Sequence, residues 1–159
     1  MTAWTHYWTR VPIEGTRREL AAGGSVDVGH TAGNIFAARG VTRGDTIYII
    51  NWYEDELLLL GRFTVDRHGV VGQNEADSYF GHHVWTAREH LIAKKGSATP
   101  YNETVVPPGV VDKIRFWSPT SGEMPVKRTR TGTVERQSFR AVREITGATA
   151  RLFDSVLGC

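Results

Sequence analysis

The chain has 159 residues, of which 40% are hydrophobic and 23% are charged, and its formal net charge is +2. This is ordinary globular composition, and the length suits one domain spanning residues 1–159. No run of about 18 apolar residues occurs, which argues against a membrane span. The single thiol, Cys159, cannot form a disulfide within the chain, and no signal-peptide pattern is visible. We therefore expect a cytoplasmic protein.

The first half of the chain predicts a strand, a short helix and a hairpin. Aromatic and polar residues alternate in residues 4–11, which predicts a strand, and residues 12–24 predict a short helical turn. Residues 31–40 begin with a helix-capping threonine and close on a glycine, which predicts a helix. Residues 46–53 and 57–65 are rich in β-branched, aromatic and aliphatic side chains, and an acidic turn joins them. They predict two paired strands.

The second half predicts fewer regular elements. Residues 70–84 read as irregular, residues 85–93 fit neither a strand nor a helix period, and residues 110–117 predict a strand. Two apolar stripes predict a helical tail from Ser138: Phe139, Val142 and Ile145, then Leu152, Phe153, Val156 and Leu157. The order predicts an α+β fold, an irregular β-barrel of about five or six strands flanked by short helices. The mouth of such a barrel is a natural ligand site.

Several short motifs carry a resemblance to known domains. They are Gly33-Asn34, Gly44-Asp45 and Ile50-Asn51-Trp52, together with the opening residues His6 to Arg10. In these motifs the chain resembles the PUA-like superfamily, in particular EVE and YTH domains, with SRA and ASCH domains more distant. The resemblance implies a nucleic-acid reader that holds a flipped, methylated base in an aromatic pocket. YTH domains place an aromatic residue before the helix, where this chain has Gly29-His30, so we favour 5-methylcytosine in DNA over N6-methyladenine in RNA.

The expected pocket lies between residues 28–34 and the strand end at residues 51–53. Tryptophan offers a flat stacking face for a base, and an asparagine can both donate to and accept from a base edge. The candidate base-binding residues are Trp8, His30, Thr31, Asn34, Asn51, Trp52, Tyr53 and Trp117. The alternative for Trp52 is a structural role, packed under the loop at residues 25–33.

Cations are concentrated near the end of the chain. Residues 127–143 hold six lysines and arginines against one glutamate, which suits a polyanion. The candidate phosphate-binding residues are Arg10, Arg17, Arg18, Lys127, Arg128, Arg130, Arg136 and Arg140. The alternative is a solvated basic helix face without a partner.

The remaining polar residues show no catalytic or metal-binding pattern. His82, His83 and His90 lack the spacing of a metal motif, so we expect no metal and no cofactor, and we place His82 and His83 in a polar loop near the pocket or the phosphates. No nucleophile elbow or phosphate loop occurs, so we expect a binding protein rather than an enzyme.

The expected partner is methylated DNA, which would place the protein at the nucleoid. A PUA- or ASCH-type RNA-binding module and a small nucleoside- or nucleotide-acting enzyme stay as alternatives. The sequence leaves the oligomeric state open.

Overall fold

The computed structural model describes all residues from 1 to 159 and has the α+β composition that the sequence predicts. The nine strands are β1 Ala3–Tyr7, β2 His30–Gly33, β3 Thr46–Tyr53, β4 Glu56–Val71, β5 Glu89–Ala93, β6 Thr104–Val105, β7 Arg115–Ser118, β8 Gly122–Pro125 and β9 Val142–Ile145. The helices are α1 Arg10–Ala21, α2 Phe36–Arg39, α3 Gln73–Phe80, α4 Pro108–Val111 and α5 Gly147–Leu157, with a 3-10 turn at Arg136–Phe139. None of the helices is long and apolar enough to cross a membrane.

The strands form one mixed sheet in the order β2-β5-β4-β3-β1-β9-β7-β8, with β6 paired to β4. Every pairing is antiparallel except that of β1 with β3. The sheet separates two apolar cores. Ile47 and Ile49 of β3 enter one core, while Tyr48 and Ile50 enter the other, as the alternation of side chains along a strand requires. Because β3 is covered on both faces, its sequence is almost continuously apolar.

The sheet is not a closed barrel, and the expected count of five or six strands is wrong. Closure would require the two edge strands, β2 and β8, to pair with each other, and they do not. Strand β2 cannot pair with β1 either. Both backbone edges of β1 are already used, by β3 on one side and by β9 on the other. The gap between β1 and β2 is bridged by side chains instead, since His6 and Trp8 both reach the hydroxyl of Thr31. This gap becomes the mouth of a cleft.

Two expectations about local structure need correction. Residues 31–40 do not form one helix, because His30–Gly33 pairs with β5 as a strand and only Phe36–Arg39 is helical. Thr31 therefore caps nothing. Gly40 does end the helix, in the left-handed conformation at φ 90°, as its position predicted. Residues 70–84 are not irregular, since they include helix α3 at Gln73–Phe80.

The end of the chain is less helical than its apolar stripes indicated. Val142 and Ile145 belong to strand β9, and Phe139 ends a 3-10 turn, so the helix begins only at Gly147. The stripe that includes Phe153 is helical, and Phe153 is fully buried. The strand expected at residues 110–117 is α4 followed by β7. The basic segment at residues 127–143 is consequently mostly extended chain and turns.

Candidate functional site

A cleft of about 970 Å³ opens where the end of β1 and the start of α1 face β2 and the segment after α3. Its volume lies within the range of small-molecule and cofactor sites. The lining is rich in flat rings: His6, Tyr7, Trp8, His30, Phe80, His82, His83 and Trp85. Two acidic residues, Glu19 and Asp27, lie on its rim. Such a lining suits a planar ligand better than an aliphatic one.

Trp8 is held in the cleft by three hydrogen bonds. Its backbone N–H donates to the carbonyl of Ile50 at 2.9 Å, and its own carbonyl accepts from the amide of Asn51 at 2.9 Å. Its indole N–H donates to the hydroxyl of Thr31 at 2.8 Å. The position and tilt of the indole ring are thus set before any ligand arrives. A ligand that stacks on this ring pays little ordering entropy for it.

Thr31 joins Trp8 to His6. The Thr31 side chain is 1% exposed, and its oxygen lies 2.7 Å from Nδ1 of His6. Since that oxygen accepts from Trp8, its own proton is satisfied only if it donates to Nδ1 of His6. His6 then carries its proton on Nε2, and burial lowers its pKa to about 4. His6 is therefore a neutral ring at neutral pH.

On the other side of β2, a chain of polar side chains runs from the cleft into the protein. Nε2 of His30 lies 2.8 Å from Nδ1 of His90, and Nε2 of His90 lies 3.0 Å from the amide oxygen of Gln73. The amide nitrogen of Gln73 donates to Asp77 at 2.9 Å. Hydrogen bonds, first among them the one from the Val84 backbone, lower the pKa of Asp77 to about 2. Burial, together with the neighbouring His90, lowers the pKa of His30 to about 4.

Trp85 and Phe80 supply further aromatic surface in the cleft. Trp85 is 50% exposed, so part of its ring is open to a ligand in the cleft. Phe80 packs edge-on against His30, with 5.2 Å between the ring centroids. Neither residue belongs to the base-binding set predicted from the sequence.

The cleft brings together half of that predicted set. Trp8, His30, Thr31 and Asn34 line it, although the hydroxyl of Thr31 is already used by Trp8 and His6. Asn51, Trp52, Tyr53 and Trp117 lie outside it.

These four residues outside the cleft have other surroundings. Asn51 is buried, and its amide donates to the Trp8 carbonyl and to the Tyr7 hydroxyl, so it supports two residues of the cleft without lining it. Trp52 stacks on Phe139 with 5.4 Å between centroids, a structural role but not under the loop at residues 25–33. Tyr53 is 57% exposed beside the β3–β4 turn. Trp117 lines a second cleft of about 500 Å³ near the start of α5.

The predicted phosphate contacts fall into two groups. Arg10, Arg17 and Arg128 are paired with the carboxylates of Glu14, Glu103 and Asp112 respectively. Five are exposed and make no salt bridge: Arg18, Lys127, Arg130, Arg136 and Arg140. Arg140 is near the cleft, since the carbonyl of the next residue, Ala141, accepts from the backbone N–H of Tyr7 at 3.1 Å.

His82 and His83, which the sequence places near the pocket or the phosphates, both line the cleft. His6 was missed, although it shares a strand face with Trp8 two residues later, and that spacing is a usable signal. His90 and Gln73 could not be linked to His30 from their positions in the chain. No group of three or more His, Cys, Asp or Glu side chains is placed to hold a metal ion.

The chain matches no protein-family model, and comparisons with curated proteins and with solved structures find no significant match.

Proposed function

We propose that this protein binds DNA and holds one flipped base, 5-methylcytosine in the first place, in the cleft beside Trp8. The observation that carries the proposal is the fixed indole ring of Trp8 in a cleft with further aromatic surface from Trp85 and Phe80. A preorganised aromatic face binds any base by stacking, and the resemblance to EVE and YTH domains supports a modified base as the ligand.

The energies involved are compatible with base flipping. Extruding a base costs a few kcal/mol, and stacking on an aromatic side chain returns about 1–3 kcal/mol per base. Hydrogen bonds between the base edge and His6, His30 or Asn34 would add to this. Burying a methyl group adds only about 0.8 kcal/mol, so the preference for a methylated base should be modest, about fourfold.

Phosphate contacts would supply affinity that does not depend on the base. Arg140 is exposed, makes no salt bridge and precedes Ala141, whose carbonyl accepts from Tyr7 of the cleft, while Arg128 is paired with Asp112. Replacing Arg140 by Ala should therefore reduce the slope of log affinity against log salt by about 0.9, as expected for one lost phosphate contact. Arg128→Ala serves as the matched control and should change the slope less. An Arg140 variant with the wild-type slope would remove this residue from the interface.

The test of the function is a binding panel on one sequence context. It compares DNA duplexes with 5-methylcytosine or cytosine at one position, and RNA oligonucleotides with or without N6-methyladenine, by fluorescence anisotropy. We expect the methylated duplex to bind most tightly. Tighter binding of the RNA, or binding that ignores methylation, would favour the RNA-binding alternative instead.

Trp8→Ala is the accompanying variant. It should weaken binding to the preferred duplex by about 1–3 kcal/mol, because the stacking face is lost. Trp117→Ala is the matched control, since Trp117 is 45% exposed and lies in the other cleft. If Trp117→Ala weakens binding and Trp8→Ala does not, the nucleic acid occupies the second cleft.

A further inference from the structure

One ring nitrogen in the cleft has no partner within the chain. His30 uses Nε2 for its contact with His90, while its Nδ1 makes no hydrogen bond to any protein atom. His30 lines the cleft, so a bound ligand can meet this nitrogen. Whether Nδ1 donates or accepts decides which ligands His30 can recognise.

The hydrogen-bonded chain behind His30 answers that question. The backbone N–H of Ala87 donates to the amide oxygen of Gln73 at 2.8 Å, and the amide nitrogen of Gln73 faces the carboxylate of Asp77. Both contacts fix which end of the Gln73 amide is oxygen. That oxygen carries no hydrogen, so Nε2 of His90 must be the donor toward it.

The protonation of His90 in turn fixes the protonation of His30, which lines the cleft. A neutral His90 with its proton on Nε2 has only a lone pair on Nδ1. Nε2 of His30 must therefore carry the proton of the 2.8 Å contact between the rings. A neutral His30 with its proton on Nε2 presents a lone pair on Nδ1. Burial supports the neutral state of both rings, since it lowers the pKa of His30 and of His90.

We propose that His30 makes the cleft selective for bases that carry an exocyclic amino group, because its free Nδ1 accepts a hydrogen bond and cannot donate one. Cytosine presents such an amino donor on its edge, whereas thymine and uracil present a carbonyl oxygen at the same place. A carbonyl oxygen facing the lone pair of Nδ1 gains no hydrogen bond and is repelled. This inference rests on the proposed function, yet it concerns the amino group and not the methyl group.

The experiment compares amino and carbonyl bases of equal size in the same DNA strand. Cytosine is compared with uracil, and 5-methylcytosine with thymine, each opposite an abasic site so that no base pair has to be broken. We expect the wild-type protein to bind the amino base at least about tenfold more tightly in both pairs. In His30→Phe, which keeps a ring but removes the acceptor, that ratio should fall toward one. His68→Phe is the control, because it makes the same change at a histidine outside the cleft and should keep the wild-type ratio.

A second measurement uses only the wild-type protein, so it does not depend on whether a variant folds. The ¹⁵N shifts of the histidine rings in the wild-type protein report which nitrogen of each ring is protonated. We expect an unprotonated Nδ1 and a protonated Nε2 for His30. A proton on Nδ1 overturns the inference, and so does equal wild-type binding of the amino and carbonyl bases. Failure to bind any oligonucleotide would overturn the proposed function and this inference with it, whereas discrimination of methylation without discrimination of the amino group would overturn this inference alone.

Discussion

The hydroxyl of Thr31 is the smallest group whose removal tests how the cleft is built. Thr31→Val replaces it with a methyl group of nearly the same size. The change removes the hydrogen bonds of 2.8 Å from Trp8 and 2.7 Å to His6. Because the two side chains have nearly the same volume, no sizeable cavity forms at this buried position, and the backbone of β2 has no reason to move. The effect therefore reports the two hydrogen bonds alone.

The expected destabilisation depends on the polar groups of Trp8 and His6 that lose their hydrogen-bond partner. A polar group that loses its partner and stays desolvated costs about 1–3 kcal/mol. Trp8 and His6 are both partly exposed in the cleft, so water can satisfy part of each loss. We expect a total destabilisation of about 2 kcal/mol, or a melting temperature lower by about 4–8 °C for a chain of this length. Affinity for the methylated duplex should fall as well, because the indole of Trp8 is no longer held.

Urea unfolding followed by circular dichroism measures the first effect, and anisotropy measures the second. The matched control is Thr64→Val, a half-buried threonine in strand β4 whose hydroxyl makes no hydrogen bond. It should leave both quantities nearly unchanged. If the two variants unfold at the same urea concentration, the Thr31 hydroxyl does not hold the cleft together, and our account of the gap between β1 and β2 is wrong.

Two further predictions concern stability. Burial lowers the pKa of His6 and of His30 from 6.5 to about 4, so below about pH 6.5 the unfolded chain binds more protons than the folded protein. The free energy of unfolding should fall as the pH drops from about 6.5 to about 4, by up to about 1.4 kcal/mol per pH unit for each histidine, and equal urea midpoints at pH 7 and pH 5 would contradict this. Gly61→Ala would place a Cβ 2.6 Å from a methyl carbon of Val28 and should cost at least about 2 kcal/mol in the same assay. Gly72→Ala, where no atom lies within 4 Å, is the control and should cost little.

Local sequence pattern was sufficient for the central hairpin. Strand β3 spans Thr46–Tyr53, the bounds that its β-branched and aromatic residues predict. The acidic turn follows, with positive φ at both Glu54 and Asp55, which suits a tight connection between two twisted strands. Successive β3 side chains point to opposite faces of the sheet, as the period of a strand requires. In this region neighbours in the chain determine the structure, so the periodicity of the sequence predicts the strands.

Strand β2 could not be predicted from the local sequence pattern. Residues 31–40 carry both helix-end signals, yet His30–Gly33 is extended because it pairs with β5, about 60 residues later. Val142 and Ile145 have helical spacing, but pairing with β1 and packing in the core make β9 a strand. In both cases tertiary contacts override a weak local preference.

The sequence by itself determined the α+β composition, the central hairpin, and several ring-bearing residues that meet in the cleft: Trp8, His30, His82 and His83. Only the tertiary structure decided how they are used. Asn51 and Thr31 belong to different strands, and both hold Trp8, so neither is free for the role that its residue type suggested. The contact with His90, which lies 60 positions away in the chain, fixes which ring nitrogen of His30 is protonated. Hydrogen bonds of this kind depend on which side chains folding brings within 3 Å of one another, and no local periodicity encodes that distance.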